Sequence, residues 1–307
     1  MFSLNHHILL TLGALMAAVL GVMPARAAGP IRAIGVENQY ANVIEQIGGR
    51  YVRVRAMISD PNTDPHSFEA SPKIAAEMAG ASLIVENGLG YDAWADKMLA
   101  AAANPQRVVI HVQLLLRRPN DTRNPHLWYD PQTMKKVAAA IGAALNRLEP
   151  GHEAYFAARV QRFDRSLRPW QAAIAAFKAQ HPATPVAVTE PVGDYLLQAM
   201  GAKIETPWAL QAAIMNGTDP SPQDVATENA LLRDHRVKIF VYNQQVTDPL
   251  TASFLRLAAQ NHIPVVGVYE TMPTPGYDYQ SWMLAETQAL EQAVTAGQST
   301  RSLLPAP

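Results

Sequence analysis

Short apolar runs alternate along the chain with longer stretches in which apolar residues recur every three or four positions. The runs at 31–36, 52–56, 83–85, 108–112, 185–188, 239–242 and 265–268 are rich in β-branched residues and mostly lack polar–apolar alternation. Continuous apolar runs of this kind suit strands of a parallel sheet that is buried on both faces. The intervening stretches carry helix-start signals. Ser71-Pro72 offers an N-cap followed by proline at the first helical position. Asp130-Pro131 repeats the device before 132–147, and Ser221-Pro222-Gln223-Asp224 adds an acidic residue three after its cap. Strands alternating with helices specify an α/β fold with mainly parallel sheets flanked by helices.

The middle of the chain breaks this rhythm. Between 149 and 182 no strand pattern occurs, and Tyr155, Phe156, Val160, Phe163, Leu167, Trp170, Ile174 and Phe177 recur near helical spacing. The spacing predicts one long linking helix of roughly 45 Å, with Pro169 inside it as the point where it should kink or break. The expected organisation is therefore an N-terminal α/β lobe over 28–148, a linking helix over 149–182 and a C-terminal α/β lobe over 183–307. No internal repeat or low-complexity tract interrupts it.

Composition narrows the chemistry. The chain has 307 residues, enough for two domains, and a formal net charge of -1, which supplies no strong field toward nucleic acid or an anionic membrane. Residues 8–23 form an uncharged apolar run, shorter than the ~20 residues that span a bilayer. Ala25-Arg26-Ala27 follows as a small-residue cleavage site. Residues 1–27 thus read as a cleaved signal peptide and the mature chain as a soluble exported protein, although MFSLNHH has no Lys or Arg and must draw its positive charge from the α-amino group and His6/His7. Cysteine is absent, which excludes disulfides, thiolate metal sites and a lipid anchor on cysteine. Any metal site must use His, Asp and Glu.

Two histidines have matching surroundings. His66 lies in Asp64-Pro65-His66 and His126 in Asn124-Pro125-His126. Proline fixes its own φ and biases its predecessor to extended backbone, so each imidazole is held on a stiff loop that loses little entropy on binding. Glu190 and Glu270 each follow a predicted strand, where open α/β sheets place their ligands. Glu190 would equally suit the positive end of a helix begun at Pro191. His111, at a strand end, is a reserve ligand, and Tyr242, Asn243 and Gln244 are candidate donors for orienting a carboxylate. Trp94 and Trp128 read as core or cleft wall. No GxSxG, HExxH or GxxxxGK[ST] motif occurs.

These residues resemble a known family. The segments DPHSFEASPKIAAEMAGASLIVENGLGYDAW (64–94), NPHLWYDPQTMKKVAAAIGAAL (124–145), VAVTEPVGDYLLQAMG (186–201), DPSPQDV (219–225) and PVVGVYETM (264–272) look like the ligand regions and a helix start of the zinc/manganese solute-binding proteins of ABC importers, in family order. The resemblance implies two α/β lobes joined by one long helix, one divalent metal ion held between them by His66, His126, Glu190 and Glu270, a periplasmic location, and delivery to an inner-membrane permease with a cytoplasmic ATPase. It implies a monomer and no enzymatic activity. Zinc-specific members usually have a third histidine where Glu190 stands, and Asp is commoner than Glu at position 270. Two imidazoles with two carboxylates suit Mn²⁺ or Zn²⁺, with Fe²⁺ also within range. The rival readings are a metal-dependent hydrolase of similar architecture and a receptor for a chelated metal or siderophore.

Overall fold

The computed structural model describes residues 29–304 apart from Thr63; the expected signal segment lies outside the described residues. Two four-stranded sheets organise the chain. The first contains β1 (Ile31–Glu37), β2 (Val52–Ile58), β3 (Leu83–Glu86) and β4 (Val108–His111) in the order β2-β1-β3-β4. The second contains β5 (Pro185–Val188), β6 (Lys203–Ile204), β7 (Ile239–Asn243) and β8 (Val265–Val268) in the order β6-β5-β7-β8. Every named pairing is parallel. In both sheets the first strand sits inside, the second is added to its outer side, and the chain then crosses back. That reversal opens a crevice beyond the C-terminal ends of the two central strands, β1 and β3 in one lobe and β5 and β7 in the other.

All seven predicted strands form, and β6 is added. Its two residues are too few to leave a periodic signal. Strands β3, β7 and β8 are buried throughout, as continuous apolar runs require. β2 differs: Val-Arg-Val-Arg alternates between half-buried and exposed positions because this strand lies at a sheet edge with one face toward solvent. Gly35 in β1 is obligatory, since a Cβ there would overlap the backbone of Tyr40 and Ala41 in the helix Asn38–Gly48, which starts directly off the strand.

Two of the predicted helix starts are caps. Ser71 Oγ accepts the Ile74 N–H at 3.4 Å, and Ser221 Oγ accepts the Asp224 N–H at 3.1 Å while donating to the Asp224 carboxylate at 2.7 Å. Asp130 instead closes a tight turn by accepting the Gln132 N–H at 3.0 Å, and the helix Thr133–Leu148 begins just after it. The linking segment runs as two helices end to end, Glu153–Ser166 and Arg168–Gln180, divided at Leu167, whose φ of -78° and ψ of -15° keep it right-handed. Pro169 explains the division: it lies at the start of the second helix, where its missing N–H is least costly.

The core is shared between the lobes. One continuous apolar cluster takes in Tyr40 and Trp128 from the first lobe, Phe163 and Trp170 from the linking helices, and Val186, Tyr269 and Trp282 from the second. Each such aromatic ring withdraws roughly 150–250 Å² from water. The last helix, Tyr279–Ala296, fastens the arrangement. Trp170 Nε1 donates to Thr287 Oγ1 at 2.9 Å, the Tyr279 hydroxyl donates to the Trp128 carbonyl at 2.6 Å, and the Tyr279 N–H donates to Asn42 Oδ1 at 3.0 Å. Among the described residues, no helix is long and apolar enough to cross a membrane.

Candidate metal centre

The two proline-led loops use the same local device. Asp64 accepts the His66 N–H through Oδ1 at 2.8 Å, and Asn124 accepts the His126 N–H through Oδ1 at 2.9 Å. In each, an Asx residue two positions ahead closes a turn around proline and aims the imidazole. Asn124 does more. Its Oδ1 also lies 2.8 Å from His126 Nδ1, and its Nδ2 donates to the Pro191 carbonyl at 2.7 Å. The Pro191 carbonyl requires a donor and the His126 N–H an acceptor, so the amide orientation is fixed. Nδ1 of His126 therefore donates to Asn124, and Nε2 is the ring nitrogen turned to the cleft.

That nitrogen faces across the cleft. His126 Nε2 and His66 Nε2 each stand 3.1 Å from the same oxygen, Glu270 Oε2, and the Tyr91 hydroxyl donates to it at 2.9 Å. Glu270 follows β8 and is held by its backbone: Gln245 Oε1 accepts the N–H groups of Glu270 and Thr271 at 2.7 and 2.9 Å, and Gln39 Nε2 donates to the Glu270 carbonyl at 3.2 Å. Asn243, the last residue of β7, donates through Nδ2 to Glu270 Oε1 at 2.6 Å and to Glu190 Oε1 at 3.3 Å. Glu190 Oε2 is buried and, among the described residues, has no hydrogen-bond partner. His126, Glu190 and Glu270 are all buried, whereas His66 sits on an exposed loop with 27% of its side chain open to solvent. It lines a pocket of about 390 Å³ at the cleft mouth with Tyr91, Arg123 and Trp208.

Charges follow from this geometry. Burial pushes the Glu270 pKa up, but hydrogen bonds from His126 and His66 outweigh it and hold the group well below the usual carboxylate range. Burial and the Glu270 charge push Glu190 the other way, well above it. Burial draws the His66 pKa down, yet its hydrogen bond to Glu270 and the charges of Glu270, Asp64 and Glu190 raise it to about 9. For His126 burial prevails over the bond to Glu270, and its pKa falls. Two carboxylates and the His126 imidazole are thus buried together beside the half-open His66. Such a set is costly unless protons or a metal ion balance it.

The structure gathers His66, His126 and Glu270 so that one donor atom from each lies within 4.8 Å of the other two. Glu190 stands one amide away, tied to Glu270 through Asn243. Of the three candidate donors at the end of β7, only Asn243 reaches a carboxylate. The Tyr242 hydroxyl turns to the Arg301 carbonyl at 3.1 Å, and Gln244 Oε1 is buried with no hydrogen bond among the described residues. His111 pairs with Glu86 in the first lobe instead of joining the cleft. Trp128 is cleft wall, its ring edge-on to His126 with centroids 5.4 Å apart, and Trp94 packs on Phe68 with centroids 4.7 Å apart. The sequence reading missed Tyr91, Asn124, Gln245 and Gln39 as supporting donors and acceptors. Asn124 was legible, because it occupies the position relative to His126 that Asp64 holds relative to His66; Tyr91 and Gln39 leave no local signal.

Comparison with known proteins gives a consistent picture. Residues 37–293 match the family described as zinc-uptake complex component A, periplasmic. A protein of Chlamydia trachomatis, provisionally described as metal-binding, is 24% identical over 222 residues, covering 71% of this chain and 77% of its own. Among solved structures, the periplasmic zinc-binding protein TroA from Treponema pallidum superposes with a TM-score of 0.73 at 18% identity, over 88% of this chain and 100% of that one. The solute-binding protein FpvC from Pseudomonas aeruginosa in complex with Mn²⁺ gives 0.70 at 19% identity, over 86% and 98%.

Proposed function

The chain belongs to the zinc-uptake component A family, metal-binding receptors of ABC importers, and we propose that it captures one divalent transition-metal ion, Mn²⁺ or Zn²⁺, on His66, His126, Glu190 and Glu270. The observation that carries this reading is the convergence of His66 Nε2 and His126 Nε2 on Glu270 Oε2, each at 3.1 Å. An ion bound there would take the place of the hydrogen bonds between these groups. Two carboxylates against a divalent ion make a neutral set, which lowers the cost of burying it between lobes. Glu190 would turn its unpartnered oxygen to the ion while Asn243 holds the other. Four protein donors close the coordination sphere and leave no open position for an activated water, which favours capture over hydrolysis.

The donor set supports both metals. Oxygen ligands suit Mn²⁺, and a carboxylate binding through both oxygens would raise its coordination number; Zn²⁺ accepts the same donors tetrahedrally and outcompetes Mn²⁺ at most mixed sites. Fe²⁺ falls in the same range. Solved relatives named for zinc and for manganese share this fold. The rest of the reading follows the family. Residues 1–27 direct export to the periplasm and are removed. The lobes 28–148 and 183–307, tied by the segment 149–182, present the ion to an inner-membrane permease driven by a cytoplasmic ATPase, with the receptor acting as a monomer.

The test is a competition titration with Mn²⁺ and Zn²⁺ on protein freed of metal. His66→Ala and His126→Ala should each lower affinity by orders of magnitude while leaving the circular dichroism spectrum unchanged. Unchanged affinity in both variants would remove the assignment.

A further inference from the structure

A second group of donors stands apart from the cleft. Glu86 ends β3 and His111 ends β4, opposite each other across the two parallel strands. Asp96 reaches the same place from the first turn of the helix Ala93–Ala101. One imidazole nitrogen or carboxylate oxygen from each lies within 4.8 Å of the other two, and His111 Nδ1 contacts Glu86 Oε1.

What marks this group out is the burial of Glu86. It is 1% exposed, yet among the described residues no backbone N–H, hydroxyl or amide donates to either of its oxygens. Buried carboxylates normally collect such donors. Glu37 lies in the same electrostatic neighbourhood, also 1% exposed and with both oxygens unpartnered, and Asp92 stands beside it. The surplus of buried acidic groups pushes Asp92 up to about 7, through burial first and the Glu86 charge second. One imidazole supplies at most a single positive charge against these carboxyl groups; a divalent cation supplies two.

We propose that Glu86, Asp96 and His111 form a second divalent-metal site, distinct from the cleft, that takes a transition-metal ion such as Zn²⁺ on one imidazole nitrogen and two carboxylate oxygens. The donor types and number match a three-ligand zinc site that keeps water in its remaining position. Glu86 anchors it from the buried side. Asp96 is exposed and His111 has 38% of its side chain open to solvent, so the ion exchanges directly with the medium and needs no movement of the lobes. With three protein donors and an open face, this site binds more weakly than the cleft.

Equilibrium dialysis of the full chain against saturating Zn²⁺ tests it. Wild type should hold two equivalents, and His111→Ala and Asp96→Asn should each hold one. The double variant His66→Ala/His126→Ala should keep one equivalent, lost when His111→Ala is added. No equivalent bound by the His66→Ala/His126→Ala variant, or two equivalents retained in both His111→Ala and Asp96→Asn, would overturn the proposal and leave Glu86–His111 as an ion pair. Asp96 is exposed, so its variant answers the question even if loss of His111 disturbs folding. Failure of the cleft reading shows separately, in the His66 and His126 variants.

Discussion

Asn124 accepts two hydrogen bonds through one oxygen and donates a third to the opposite lobe. It therefore sets the loop, the tautomer and the lobe contact of His126 at once. Asn124→Ala should cost about 10–100-fold in metal affinity, the usual effect of removing a partner that orients a ligand. It should also lower metal-free stability by about 1–3 kcal/mol, because His126 Nδ1 is left buried without an acceptor. Asn124→Asp keeps the acceptor and should recover most of the affinity in the same competition titration. Glu286 makes a different residue-scale point. It is buried, receives the Trp282 indole N–H at 2.7 Å, and burial raises its pKa to about 8. The folded state therefore keeps a proton that the unfolded chain loses near its ordinary value of 4.5. The stabilisation is complete below that value and is lost as pH rises toward 8, at up to about 1.4 kcal/mol per pH unit. Thermal unfolding of metal-free protein should show Glu286→Gln gaining on wild type across this interval, and parallel curves would contradict the assignment.

At the scale of elements, Gly35 shows how tightly strand and helix are joined. Gly35→Ala forces a Cβ into the backbone of the helix Asn38–Gly48 and should cost about 1–3 kcal/mol as an overpacked position does, read as a lower urea midpoint with an unchanged slope. Much of the framework was legible because it rests on local patterns. The apolar runs of β3, β7 and β8 are continuous because both faces are covered, and the Ser71 and Ser221 caps leave fixed signatures. Pro169 announced the division of the linking segment. What was illegible depends on distant residues. β6 is two residues held by pairing with β5, and no window of sequence contains that partner. The same holds within the metal centre. His66 and His126 stood out through their own loops, whereas Tyr91, Gln39 and Gln245 act only because the fold brings Glu270 to them. His111, a strand-end histidine like any ligand candidate, could be placed with Glu86 only once β3 and β4 were seen side by side.

For the whole molecule, the shared core and the cross-lobe bonds predict one cooperative unit. Asn38 Nδ2 donates to the Met272 carbonyl at 2.8 Å while its Oδ1 accepts the Met272 N–H at 2.9 Å, and the Tyr129 hydroxyl donates to the Tyr269 carbonyl at 2.8 Å. Metal held between such lobes should raise the melting temperature through linkage, by about 4 kcal/mol of added stability at a thousandfold excess over Kd. Differential scanning calorimetry with and without Zn²⁺ checks this, and an unchanged single transition would count against a site in the cleft. The helix Tyr279–Ala296 carries one more consequence, for the order in which the chain can become a protein. Its first residue bonds to Asn42, and its aromatic residues complete the packing around Trp128, Phe163 and Trp170. The half of the chain that is made first thus waits for a helix that is made long after it. A nascent chain stopped before residue 279 lacks the piece that seals its core, so it stays open to proteases and chaperones until that helix is made.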